Sequence, residues 1–217
     1  MHKGLVWVCI VTAGLLAGCG GGGGGGQQTP TSANAGSSLT VNTGSTITGV
    51  TVAPSNSAST PCGAGVTTSA GQFIVSTAQC GNQPLTITTN NGEVNNYVPG
   101  QPTTVVVNTT TTSQIKAYAG NWTASYNSPS SQPSGDSGSC SNITISPTGL
   151  ITFSSCSSAH SGQFTLTGGL DSNGNFQGTA TTGAVYKGVF SVTASSGGNW
   201  TNSATGGSGS WTASKAP

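Results

Sequence analysis

The sequence predicts an all-β protein: a C-terminal antiparallel up-and-down β-barrel of about eight strands, preceded by a smaller β unit and a flexible Gly-rich tether. Three observations predict it. The Glu and Lys that long helices need are scarce, whereas Thr, Val, Ile and aromatics, which favour strands, are threaded through Gly, Ser and Asn, which favour turns. Short runs alternate apolar and polar side chains, the period that sets one face of a strand against a core. Turn signals such as Asn91-Gly92, Pro99-Gly100 and Gly197-Gly198-Asn199 stand between these runs. Low hydrophobicity can also mean disorder, but disorder usually brings high net charge and few aromatics. Here the formal net charge is +1, and Trp122, Phe164, Tyr186, Phe190, Trp200 and Trp211 recur among strand-like neighbours.

In chain order, residues 1–18 follow the plan of an export signal. A basic start, Met1-His2-Lys3, precedes an apolar stretch from Leu5 to Leu16 and then small residues. That stretch falls short of the roughly twenty residues a membrane-spanning helix needs, so it reads as a removable segment. The next residues, Leu16-Ala17-Gly18-Cys19, resemble the lipobox of bacterial lipoproteins. The resemblance implies a diacylglyceryl group on the Cys19 sulfur, cleavage just before it and acylation of the new amino terminus. Two or three acyl chains give stable attachment at about 0.8 kcal/mol per buried methylene. In that family Asp after the cysteine favours inner-membrane retention; Gly20 stands there instead, which implies the outer membrane. Residues 19–38 are then the lipidated cysteine and its tether, opened by the glycine run Gly20 to Gly26 and reaching roughly 24 Å.

Residues 39–116 form the expected small β unit, with strand-like runs at 39–41, 46–52, 72–77, 84–89, 93–98 and 103–109. A small β-sandwich suits them. Apolar side chains are sparse before Pro61, a pattern that also suits an extension of the tether.

Residues 117–217 form the expected barrel. Its strands are placed at 121–127, 140–146, 150–154, 162–168, 174–181, 184–194, 198–203 and 208–214. Trp122, Ala124 and Tyr126 share one face, as do Ile143 with Ile145, Phe164 with Leu166, and Tyr186 with Phe190. Closing such a meander removes its exposed sheet edges. Gly120-Asn121-Trp122 resembles the Gly-x-Trp opening of lipocalin and avidin-type barrels, and of small barrels in bacterial surface lipoproteins. That likeness implies a ligand pocket at the barrel mouth, with Trp122, Trp200 and Trp211 as its contacts. The unit is shorter than a lipocalin, so the competing expectation is an interior filled by side chains, the tryptophans among them.

Cysteines follow the compartment. With Cys9 removed and Cys19 lipidated, Cys62, Cys80, Cys140 and Cys156 remain, and export leads them to pair. Of three connectivities, Cys62–Cys80 and Cys140–Cys156 are favoured because each pair brackets one hairpin. No C-x-x-C occurs and His160 is the one histidine beyond the leader, so neither a metal nor another cofactor is expected.

Candidate chemistry is sparse. Phe73 to Cys80 resembles the histidine-bearing segment of chymotrypsin-type proteases, and Gly135-Asp136-Ser137-Gly138 their nucleophile motif. Gln79 stands where the base belongs, and an amide cannot take the serine proton. Asp171-Ser172-Asn173-Gly174-Asn175 resembles the opening of a calcium loop, but Phe176 replaces its glycine, so it reads as a hairpin turn. Glu93 stands alone, and acid–base catalysis needs titratable groups placed together. The expectation is therefore a protein that is not an enzyme. It would be held in the cell envelope by membrane lipid on Cys19, with a binding or structural role towards a small ligand or an envelope protein. Near-neutral charge excludes nucleic acid, whose capture depends on basic groups.

Overall fold

The computed structural model describes residues 38–56, 60–129 and 136–217, which belong to one compact unit. The segment expected to be an export signal, Cys19, the Gly-rich run and Gly135 lie outside the described residues.

The first half is a seven-stranded sheet made of β1 (Ser38–Asn42), β2 (Val50–Pro54), β3 (Gly63–Ser69), β4 (Gln72–Ser76), β5 (Leu85–Thr89), β6 (Val94–Tyr97) and β7 (Thr104–Val106). Its order is β6-β5-β2-β3-β4-β1-β7, antiparallel except for β1 with β7. Strand β3 divides its pairing, with Gly63 and Ala64 against β2 and the rest against β4. On either side of β3 the alternating faces bury Val50, Val52, Leu85 and Ile87, and Leu39, Val41, Phe73 and Val75, in one core. One continuous sheet thus does what two were expected to do. Cys62–Cys80 clips the entry of β3 to the turn after β4.

Two elements depart from expectation. Strand β3, Gly-rich and exposed along most of its length, carries almost no apolar alternation. The run expected to be strand through residue 109 ends at Val106, and helix α1 (Thr109–Tyr118) follows. Its start is set by Asn108, whose side chain accepts from the Thr111 N–H while the Thr111 hydroxyl accepts from the Asn108 N–H. Ile115 is buried, and the Thr112 hydroxyl accepts from the Val94 N–H, so the helix covers the open edge of β6.

The second half is the expected closed barrel. It comprises β8 (Gly120–Asn127), β9 (Ser137–Ile145), β10 (Leu150–Ser158), β11 (Gly162–Leu170), β12 (Asn175–Ala180), β13 (Val185–Val189), β14 (Ser196–Asn202) and β15 (Gly207–Lys215). Each strand pairs antiparallel with the next, and β15 returns to β8. The expected strand at 184–194 ends earlier, at Val189, after which the Phe190 N–H makes one further bond in register to the opposed Gly174 carbonyl. β9 begins earlier and β10 ends later than expected, and Cys140–Cys156 joins them where they pair face to face.

The barrel turns its apolar side chains inward. Outside, Thr144, Thr152, Thr167 and Thr179 lie side by side across four strands, and Ser125 with Thr212 and Thr123 with Ser214 pair at 3.2 Å. A barrel that crosses a bilayer presents the reverse, an apolar band outside. Among the described residues, no helix is long and apolar enough to cross a membrane.

Candidate functional site

Three places carry concentrated polar or aromatic chemistry: the barrel interior, its mouth and the seam between sheet and barrel.

The interior is solid. Trp122, Trp200 and Trp211 are 1%, 4% and 4% exposed, so each ring is packed almost wholly inside the barrel, with Trp200 also reaching the small pocket at the mouth. Trp122 meets Phe190 edge-on at 5.1 Å, Phe176 meets Trp211 edge-on at 5.6 Å, and Trp200 stacks on Tyr186 at 6.1 Å. Trp122 Nε1 donates to the Tyr118 carbonyl and Trp211 Nε1 to that of Lys187, at 3.0 Å each. The Trp211 ring fits because residue 188 is glycine; a Cβ there would sit 2.6 Å from Trp211 Cζ2. The void left among these rings is about 10 Å³, at the lower edge of the roughly 10–15 Å³ that a single water molecule needs. The burial of all three rings agrees with the core-packing expectation for the tryptophans.

At the mouth, Asp136, Ser158, His160, Tyr186, Trp200 and Asn202 line a pocket of about 40 Å³. Asp136 Oδ1 accepts from the Ser158 hydroxyl at 2.7 Å and from the His160 backbone N–H at 3.3 Å. A nucleophile relay needs the imidazole between serine and carboxylate. Here the serine hydroxyl bonds the carboxylate itself, and histidine enters through its backbone. Burial pushes the Tyr186 hydroxyl well above its usual range, with Tyr126 and Asp136 adding to the rise, so it stays protonated at neutral pH. Trp200 Nε1 is buried without a partner among the described residues. Ser137 opens β9 and is exposed, while Gln79 lies in the sheet half after β4, so the protease-like segments belong to different halves of the molecule.

The seam is the polar region that sequence reasoning missed. Asn95 Oδ1 accepts from the Ser172 N–H at 3.0 Å, and Asn95 Nδ2 donates to the Val106 carbonyl at 2.7 Å. Asn96 Nδ2 donates to the Thr148 and Leu170 carbonyls at 2.9 and 2.6 Å, which fixes its amide orientation and leaves Oδ1 buried without a partner among the described residues. Gln177 Oε1 is likewise buried and unpartnered, and its cross-strand neighbour is Gly169. A Cβ on Gly169 would come within 2.8 Å of Ser55 Oγ and 3.0 Å of Pro84 Cβ, so the two halves touch here almost backbone to side chain. The Asp171 carboxylate accepts from the Asn173 and Asn175 N–H groups at 2.9 and 3.0 Å and from Asn175 Nδ2 at 2.7 Å. Burial nonetheless pushes its pKa upward, outweighing those donors. The loop thought to resemble a calcium site spends its carboxylate on its own turn.

Beside these residues a groove of about 280 Å³ opens between β6 and β7, walled by Asn95, Tyr97, Gln101, Gln114 and Asn173 and bordered by Asp171. No sequence signal marks it, because its walls come from the sheet, the helix and the β11–β12 turn. Among the described residues no group of three or more His, Cys, Asp or Glu side chains could hold a metal ion. The fold and site define an aromatic-filled eight-stranded antiparallel barrel preceded by a smaller sheet. Comparison with protein families, curated proteins and solved structures yields no match.

Proposed function

We propose that this chain is a lipid-anchored protein of the bacterial cell envelope, attached through Cys19 to the outer membrane, with a non-enzymatic binding or structural role. The observation that carries this reading is Leu16-Ala17-Gly18-Cys19 directly after a short apolar stretch. Two features are consistent with it. Disulfides Cys62–Cys80 and Cys140–Cys156 suit an oxidising compartment. A barrel with a hydroxyl-covered exterior has no apolar belt of its own, so a lipid anchor supplies what would hold it at a membrane. The role is read as non-enzymatic because Ser158 bonds Asp136 with no imidazole between them. Carriage of a ligand inside the barrel is not favoured, since the interior is filled.

The test is replacement of Cys19 by Ala, followed by metabolic labelling with radioactive palmitate and fractionation of the envelope. Label on the native chain, and its loss together with release of the variant from membranes, is expected. Equal membrane retention of both chains without label in either removes the anchor.

A further inference from the structure

The groove between β6 and β7 has a defined chemistry. Its polar walls are mainly amides, from Asn95, Gln101, Gln114 and Asn173, which both donate and accept, joined by the hydroxyls of Thr104, Thr111 and Ser172 and by the Asp171 carboxylate, which accepts. No Lys, Arg or His lines it, so a phosphate or carboxylate would find no counter-charge there. The half-buried ring of Tyr97 adds one aromatic wall. The floor is held in place, since Asn95 is bonded at both ends of its amide to Val106 and Ser172, and the Asp171 turn is closed on itself. Beside it lies Asn96 Oδ1, which is buried and has no donor among the described residues.

Size and shape narrow the occupant. About 280 Å³ lies just below the range for drug-sized small-molecule sites, roughly 300–1,000 Å³, which suits one ring rather than an extended chain. A peptide strand inserted between β6 and β7 would need them about 9.5 Å apart, twice the usual spacing. Instead their Cα atoms come within 8 Å, and the Asn95–Val106 bond bridges them. A group with many hydroxyls and no charge, by contrast, matches each of these walls. Hydroxyls donate and accept as amides do, and the carbon-bound face of a sugar ring packs against an aromatic.

We propose that this groove binds a neutral, hydroxyl-rich ligand about the size of one sugar ring. The inference does not rest on the lipid anchor, and the Cys19→Ala chain should bind as the native chain does. That keeps its failure separate from failure of the anchor.

Saturation-transfer NMR on the full-length chain in detergent tests it. The probes are methyl α-mannoside, methyl β-glucoside, methyl β-galactoside and N-acetylglucosamine at about 10 mM, which reveals sites with Kd on the order of 1 mM. Transfer to at least one probe is expected, with affinity falling roughly fivefold or more in a Gln114→Ala/Asn173→Ala chain. Both side chains are exposed, and an unchanged thermal melt shows that the fold is kept. Gln101→Ala, on the loop joining β6 to β7, should weaken transfer independently. His160→Ala, at the barrel mouth, should leave it intact. Silence from all four probes overturns the proposal. So does transfer that survives the double substitution undiminished, or transfer that is lost with His160.

Discussion

The sheet and the barrel bury their interiors with different side chains. The sheet core is aliphatic, with Val41, Val52, Leu85 and Ile87 around a single ring, Phe73. In the barrel, Trp122, Tyr126, Phe153, Phe164, Phe176, Tyr186, Phe190, Trp200 and Trp211 meet across the bore. The difference follows from enclosure. Facing strands of a bent sheet lie about 10 Å apart, a gap that branched aliphatics fill from both sides. A closed barrel of eight strands has a wider interior that only large side chains fill completely. Inward glycines such as Gly188 then give the rings their places. The two cores are separate, and what joins them is polar: Ser55, Asn95, Asn96, Ser172 and Gln177 are buried residues of the seam.

The largest effect that would break this comparison is expected from truncating a barrel ring. Trp122→Ala removes the edge contact with Phe190 and the bond to Tyr118. The ring is 1% exposed, so its removal leaves a large cavity, and a loss of about 3–5 kcal/mol is expected in urea unfolding followed by far-ultraviolet circular dichroism. Ile87→Val in the sheet deletes one methylene from a site that aliphatic neighbours can close, and about 0.5–1.5 kcal/mol is expected. Because far more atoms leave with the indole than with one methylene, comparable losses would show that the bore collapses around the missing ring and is not rigidly packed.

The disulfides sharpen the same comparison. Their sequence separations, 18 and 16 residues, make the loop-closure contribution nearly equal, about 3 kcal/mol each. They differ in surroundings. Cys140 and Cys156 are both within the barrel core, whereas Cys62 is only half-buried at the sheet rim. The double Cys→Ala chain lacking the barrel bridge should therefore unfold at lower urea than the one lacking the sheet bridge. The reverse order would mean that the rim bridge does more than close a loop, by holding the entry of β3 against β4.

Legibility in the sequence divides along the same line. The barrel strands were readable because ring-bearing positions alternate with Ser and Thr, and because Asp171 to Gly174 and Thr182-Gly183 punctuate them. The sheet was half readable. Strands β1, β4 and β5 alternate cleanly, but β3 has Gly63-Ala64-Gly65 where apolar residues would announce a strand. Helix α1 opens on four threonines, which favour strands, and its one local signal is Asn108 three residues before Thr111. The seam was not readable at all. Asn96 bonds Leu170 across 74 positions and Asn95 bonds Ser172 across 77, and each residue by itself looks like an ordinary turn or edge position. Periodicity reports which face is buried. It carries no record of which polar residues two faces share.

The smallest expected effect lies at that seam, and it concerns pH. Burial raises the Asp171 pKa above its ordinary value of 3.8, against the pull of its hydrogen-bond donors. Between 3.8 and the raised value, the folded chain holds this proton more tightly than the unfolded chain does. Stability owed to Asp171 is therefore greatest below 3.8, declines as pH rises through the folded pKa, and stays lower above it. Asp171→Asn removes the titration and keeps an acceptor for the Asn173 and Asn175 N–H groups, but loses the bond to Asn175 Nδ2. The informative quantity is thus the slope of the urea midpoint with pH rather than its height. Measured upward from pH 3.8, the native chain should lose stability relative to the Asp171→Asn chain. If instead the native chain gains on the variant over that interval, the turn's donors outweigh burial, and the seam stabilises the charged carboxylate.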